Sequence, residues 1–227
     1  MTGGLNRLSS VGFTSLSQQV TNELRKSIIE NRLKAGTRLT ESELSTTLGV
    51  SRTVIREAIA VLNKDGFLEK ESSHCTRVAS YSAKDISEIY DMRACLESGA
   101  LELMEDPRLI VDELKAINEK AKAIAITEPF DGLAFVEADM DFHTCIIKYA
   151  DNSIMMEAWH RIIGPLQVLL HRYIFFIVNN TVEKRASYDH NRIIEKFGTG
   201  DKKLINEVLK DHSMVMKQIL LEKLLEA

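Results

Sequence analysis

Along most of the chain, apolar residues return at the three- and four-residue spacing of an α-helix. In the first such segment, residues 17–31, Val20, Leu24, Ile28 and Ile29 share one side. A turn follows at Lys34-Ala35-Gly36-Thr37. A short helix is predicted over 41–48, closed by Gly49, and another over 52–65, opened by Ser51 as N-cap and closed by Gly66. Residues 67–71 and 76–80 have the length and character of two hairpin strands. Three helices followed by a hairpin predict a winged helix-turn-helix over residues 15–80, preceded by a flexible arm at 1–14. Beyond Tyr81 the pattern stays helical, and Ser82 with Asp85 marks the start. Helices are predicted near 83–104, 108–127, 131–150, 152–164, 166–180, 182–198 and 201–225. The breaks fall at Pro107, Pro129, Asp151-Asn152, Gly164-Pro165 and Gly198-Thr199-Gly200. Connections this short favour antiparallel neighbours, so residues 83–227 are expected to form an antiparallel helical bundle and the chain to be mainly α.

Four polar residues interrupt the apolar stripes of that second region. Asp139 and His143 are four apart, so they share a helix face with Phe135, Val136, Phe142, Ile146 and Ala150. His190 lies among Ala186, Ile193, Ile194 and Phe197, and His212 among Ile205, Val208, Leu209, Val215, Met216 and Ile219. A carboxylate or imidazole buried without a partner is strongly unfavourable. Three neutral imidazoles and one carboxylate converging from three helices would satisfy one another through a single divalent metal: zinc, nickel or another first-row ion. Taken singly, a histidine on an apolar face is more often a hydrogen-bonded core residue; the coincidence of four carries the metal expectation. His160 and His171 lack such company and are read as bundle or surface residues. Arg93 stands in a fourth stripe, with Ile86, Ile89, Tyr90, Leu96 and Ala100. Its guanidinium either pairs with Glu97 one turn on or grips the carboxylate of a ligand. Arg before Glu is the weaker intrahelical order, which favours the ligand.

Bulk properties change this picture little. Cys75, Cys95 and Cys145 form no framework and no paired motif, which fits a reducing, cytoplasmic setting. No signal peptide is expected, because residues 1–14 lack an apolar core. The most apolar stretch, 162–178, is broken by Gly164-Pro165 and carries His171-Arg172. A membrane span needs about 20 nearly uninterrupted apolar residues, so a buried bundle helix and no membrane partner are expected. The net charge of −4 hides a division: the Lys and Arg excess lies in residues 1–78 and the acidic excess in the remainder. A basic front end suits nucleic-acid contact there alone.

The segment from 52 sharpens that reading. Val54, Ile55, Ala58, Ile59, Val61 and Leu62 fall on one side, and Arg52, Thr53, Arg56, Asn63 and Lys64 on the other. Polar groups gathered at a helix N-terminus suit a helix seated in the major groove, where Arg reads guanine and Thr holds phosphate. A plain amphipathic surface helix shows the same pattern. Residues 36–66, GTRLTESELSTTLGVSRTVIREAIAVLNKDG, closely resemble the GntR family of bacterial transcription regulators, with its Gly-x-x-Leu turn, Glu-x-x-Leu helix and Val-Ser-Arg-Thr…Arg-Glu-Ala recognition helix. The resemblance implies that Arg52 and Thr53 read or clamp DNA, that Arg56 holds a base edge or phosphate, and that Ser51 caps the helix. Val54 replaces the family's usual proline. At the wing tip His74-Cys75 stands where a glycine is usual, and Arg77 remains available to a phosphate.

From about Asp91 onward the chain resembles the FadR-type subgroup, whose ligand-binding half is called FCD. The residues that carry this are Arg93…Glu97, Asp139-x-x-Phe142-His143…Asn152, His190-x-x-Ile193 and His212, with Asp189 in place of the usual Glu. The resemblance implies that Asp139, His143, His190 and His212 bind one divalent metal and that the metal coordinates an acidic effector. The expected protein is a cytoplasmic, effector-responsive regulator that binds an inverted-repeat operator as a homodimer. Two alternatives stay open on the sequence: a metal-dependent hydrolase, and a regulator whose metal is structural or is itself the signal.

Overall fold

A computed structural model describes residues 15–72, 75–177 and 190–225. The expected arm at 1–14, wing residues 73 and 74, and positions Ala186 and Asp189 fall outside these. The N-terminal unit comprises α1 (Leu16–Ile29), β1 (Arg38–Thr40), α2 (Glu41–Leu48), α3 (Arg52–Lys64), β2 (Leu68–Lys70) and β3 (Cys75–Val78). Ser15, Thr40 and Ser51 cap the three helices by accepting from backbone N–H groups of their first turns. Gly49 (φ 66°) ends α2 in the left-handed conformation that glycine adopts without strain. Val20, Leu24 and Ile28 of α1 meet Leu44 of α2, Ile55, Ala58 and Leu62 of α3, and Phe67 in one core.

The sheet holds a strand that periodicity did not predict. Its order is β1-β3-β2, all antiparallel, with Leu39 opposite Thr76 and Glu69 opposite Arg77. At three residues β1 is too short to show alternation, yet it joins the hairpin to the start of α2. Cys75, at the position where the resemblance led one to expect the wing tip, belongs to β3 with its side chain buried. Val61, placed by the pattern on the packed side of α3, is instead 40 % exposed.

The C-terminal unit is helical: α4 (Ala83–Leu103), a 3-10 turn (Pro107–Ile110), α5 (Val111–Ala125), α6 (Gly132–Lys148), α7 (Ser153–Ile177), α8 (Asn191–Thr199) and α9 (Lys202–Leu225). Ser82 and Asp85 cap α4 reciprocally. The expected break at Gly164-Pro165 is absent: α7 runs straight through it. Proline removes one helical hydrogen bond. Burial of Trp159 before the pair and of Leu166, Leu169 and Leu170 after it offsets that loss, since all four join one core. The same segment docks the two units. A Cβ on Gly164 would lie 1.4 Å from the Asp65 carbonyl oxygen, so only glycine permits the approach. One Cβ on Gly66 would meet Pro165, and Tyr81 donates its hydroxyl to the Gly66 carbonyl. Val168 of α7 is part of the N-terminal core, and buried His171 lies against the Ile29 carbonyl of α1. Among the described residues, no helix is long and apolar enough to cross a membrane.

Candidate functional site

Two surfaces carry the chemistry. The first is the N-terminal end of α3. Ser51, Arg52, Thr53 and Arg56 are all exposed there. The Ser51 hydroxyl accepts from the Val54 N–H at 3.4 Å. Arg52 donates to the Ser42 hydroxyl at 3.3 Å, and Arg56 donates through Nε to Glu41 Oε2 at 2.8 Å. Glu41 begins α2 and is itself buried, so the contact steadies Arg56 from below and leaves its outer edge in solvent. On the sheet, Arg77 donates to Glu71 (3.0 Å from Nε) and to the Gly36 carbonyl. Glu71 also meets Arg38 at 3.1 Å. Between α3 and the hairpin lies a cleft lined by Glu41, Arg56, Asn63, Lys70 and Cys75.

The second site is buried in the helical unit. Asp139 and His143 come from α6, His190 from the residue that opens α8, and His212 from α9. One donor atom from each lies within 4.8 Å of the others. His190 Nε2 is 3.3 Å from Asp139 Oδ1. The His190 ring stacks on Phe142 at 4.0 Å between centroids. Its backbone N–H donates to Asn118 Oδ1 at 3.1 Å, and Asn118 donates in turn to Asn191. Asn118, 1 % exposed, thus anchors the start of α8 against α5. The sequence carried the signal for it: Asn118 interrupts the stripe of Leu114, Ala121 and Ala125 just as the histidines interrupt theirs.

Arg93 and Glu97 of α4 close the cluster from another side. Both are fully buried. Arg93 Nε donates to Glu97 Oε1 at 3.1 Å, so the intrahelical pair forms, and Arg93 Nη2 lies 2.5 Å from His143 Nε2. His143 Nδ1 is 2.8 Å from the same Glu97 oxygen. The guanidinium also faces the Tyr90 ring, 5.6 Å from its centroid, and the Tyr90 hydroxyl is buried.

Electrostatics in this pocket favours metal-ready protonation states. Burial pushes the Asp139 carboxyl up, but His190, His143 and Arg93 outweigh it and hold the pKa well below the usual range. Glu97 is likewise lowered, because Arg93 and His143 overcome its burial. Burial and the Arg93 charge lower His143, and burial with the neighbouring histidines lowers His212 far below an ordinary imidazole. An ionised carboxylate and neutral imidazoles are the forms that ligate metals. Metal bonds to N and O run about 2.1 Å, which sets donors on one ion no more than about 4.2 Å apart, so the four residues need only small adjustments. Asp139 Oδ2 is buried and has no hydrogen-bond partner, a costly arrangement that a cation relieves. The donor set therefore fits one divalent first-row ion.

Comparison with known proteins identifies both units. Residues 16–78 match the bacterial regulatory proteins of the gntR family, and residues 88–214 match the FCD domain. The chain is 31% identical over 201 residues to the HTH-type transcriptional regulator YdhC of Bacillus subtilis, covering 86% of this chain and 84% of that one. It is 28% identical over 184 residues to the gluconate operon transcriptional repressor of the same organism, covering 80% and 72%. A GntR transcriptional regulator from Rhodococcus sp. RHA1 has the same fold, with a TM-score of 0.67 at 21% identity over 92% of this chain and 99% of that one. The chain belongs to the GntR family of bacterial transcription regulators, with an FCD domain as its C-terminal half. These are DNA-binding regulators, and the hydrolase alternative falls with that membership.

Proposed function

We propose that this regulator is a repressor that binds an inverted-repeat operator as a homodimer and releases it when a small carboxylate occupies the helical unit. Arg52, Thr53 and Arg56 at the start of α3, with Ser51 as its cap, would enter the major groove, and Arg77 would meet a phosphate. Asp139, His143, His190 and His212 would hold one divalent ion, zinc or nickel by donor set. That ion would supply positive charge and open coordination positions for an acid. Arg93 and Tyr90 supply a guanidinium and a hydroxyl for the same ligand, which a purely structural metal site does not need. The observation that carries the reading is a buried cluster of three histidines and an aspartate with an arginine beside it, in a chain whose α3 exposes Arg52 and Arg56 at its start. A sugar acid is a natural effector class, in keeping with the gluconate operon repressor among its relatives.

The test is selection of binding sites from random duplex DNA, with and without zinc. The full chain should enrich a short inverted repeat. Arg52→Ala should weaken binding to the enriched site by about 1–3 kcal/mol, as expected for one bidentate base contact. Enrichment of nothing under either condition would remove the reading.

A further inference from the structure

One face of the three-stranded sheet carries two arginines opposite each other. Arg38 of β1 pairs with Arg77 of β3 in the antiparallel register, so both side chains leave the sheet on the same side. Like charges so placed repel. Glu71 lies between them, 3.1 Å from Arg38 Nε and 3.0 Å from Arg77 Nε. From there the two arginines part. Arg77 also donates to the carbonyl of Gly36, just before β1 begins. Arg38 slants towards the other end of the strand. Its Nε–H donates to the Cys75 thiol at 2.9 Å, and that thiol donates to Glu71 Oε2 at 3.0 Å. Cys75 stands opposite Thr40, the cap of α2. Arg38 thereby lines a cleft with Ser42 of α2, Arg52 and Arg56 of α3, and Ser72 and Cys75 of the hairpin, while Arg77 is not part of that lining. Glu41 lines the cleft too and pairs with Arg56. Three arginines to this one carboxylate make the cleft basic among the described residues.

A helix seated in the major groove has a phosphate strand along each side. Resting on the proposed entry of α3 into that groove, we infer that Arg38 is a further DNA contact, which grips a backbone phosphate of the strand running past the start of α3. Guanidinium and phosphate match in charge and in donor geometry. Arg38 has two properties that such a contact needs. Its side chain is 63% exposed, so a phosphate reaches it without disturbing the core. It is already held at Nε, so it loses less side-chain freedom on binding. Phosphates are alike at every base step, so the contact carries no sequence information. Arg38 adds affinity and fixes register, a role apart from the base reading proposed for Arg52.

The test compares the full wild-type chain with Arg38→Ala and with Arg32→Ala, which removes the same charge from the turn after α1, outside the cleft. Each is titrated onto the selected duplex and onto an unrelated duplex of equal length, across a salt series. Arg38→Ala should weaken binding to both duplexes by the same factor and flatten the slope of log K against log salt by about 1. Between about 50 and 200 mM salt, its affinity should then fall about three- to fourfold less than that of wild type. Arg38→Lys keeps the charge and should regain the wild-type slope. Arg32→Ala should leave the slope unchanged. The inference is overturned by an Arg38→Ala protein with the wild-type slope, by one weakened on the selected duplex alone, or by an equal change of slope in Arg32→Ala. Failure of the reading beneath it looks different. A wild-type chain that binds neither duplex ends both. Loss of slope in Arg38→Ala, beside an Arg52→Ala protein that binds the selected duplex like wild type, keeps the phosphate contact and ends the placement of α3.

Discussion

The two halves of the molecule treat arginine in opposite ways. Arg56 and Arg77 of the DNA-binding half have side chains 56% and 45% exposed, each resting on one carboxylate, Glu41 or Glu71. Arg93 of the helical half is fully buried and is held by Glu97 and His143. Exposed ion pairs contribute little, about 0–1 kcal/mol, because water competes for both partners. They can be exchanged for a DNA phosphate at small cost. A buried pair has lost its water, and its members depend on each other. On the proposed function, the surface that meets a polyanion keeps its charges wet, whereas the pocket that senses a single small acid keeps them dry and interlocked.

The largest effect should come from breaking the dry arrangement. Arg93→Ala leaves the Glu97 carboxylate buried without its cation. It should destabilise the protein by about 3–5 kcal/mol in chemical denaturation. Arg56→Ala, which removes a wet partner, should change stability by less than about 1 kcal/mol. Equal losses in the two variants would erase the contrast between the halves.

A smaller effect tests how the halves communicate. α7 touches both. Its Trp159 indole donates to the Thr144 hydroxyl at 2.8 Å, next to His143 on α6. Five residues on, Gly164 presses against the Asp65 carbonyl at the end of the recognition helix. Arg25 of α1 holds Asp65 from the other side at 2.7 Å. Gly164→Ala places a methyl where backbone already stands, so the docking must open. Overpacking of this kind costs about 1–3 kcal/mol. The variant should melt earlier and expose residues 79–82 to limited proteolysis. A melting curve and a cleavage pattern like those of wild type would mean that the units are not held together at this contact.

Such contacts mark the limit of what the sequence revealed. The helix-turn-helix was legible because its signals are local: serine caps, Gly49 and Gly66 as stops, and an amphipathic stripe in α3. The buried cluster was legible because Asp139, His143, His190 and His212 each interrupt an apolar stripe, and the structure brings their donor atoms together. Asn118 follows the same rule and was overlooked, since an amide draws less notice than an imidazole. β1 was not legible, because three residues carry no period. Nor was the continuity of α7: Pro165 is a strong local stop, and only tertiary burial on both sides of it overrides that preference. Arg93 left two readings open on one helix. The structure shows its pair with Glu97 and its contact with His143 together, something no one-dimensional pattern contains.

The smallest predicted effect probes the wet side alone. Ser51 caps α3 through a long 3.4 Å bond to the Val54 N–H, while Ser82 caps α4 with Asp85 reciprocating from its side chain. Losing an N-cap typically costs about 1 kcal/mol. Ser82→Ala should lose that much or more, since Asp85 also loses the hydroxyl that donates to it, and Ser51→Ala should lose less because its bond is long. DNA affinity should rank the other way. Ser51 adjoins Arg52 and Thr53, and fraying of that first turn shifts the groups proposed to enter the groove, whereas Ser82 lies beyond β3 and outside that surface. Denaturation of both variants, with binding to a selected duplex, separates the two rankings. A Ser51→Ala protein that binds DNA like wild type would mean that the start of α3 does not set the recognition geometry.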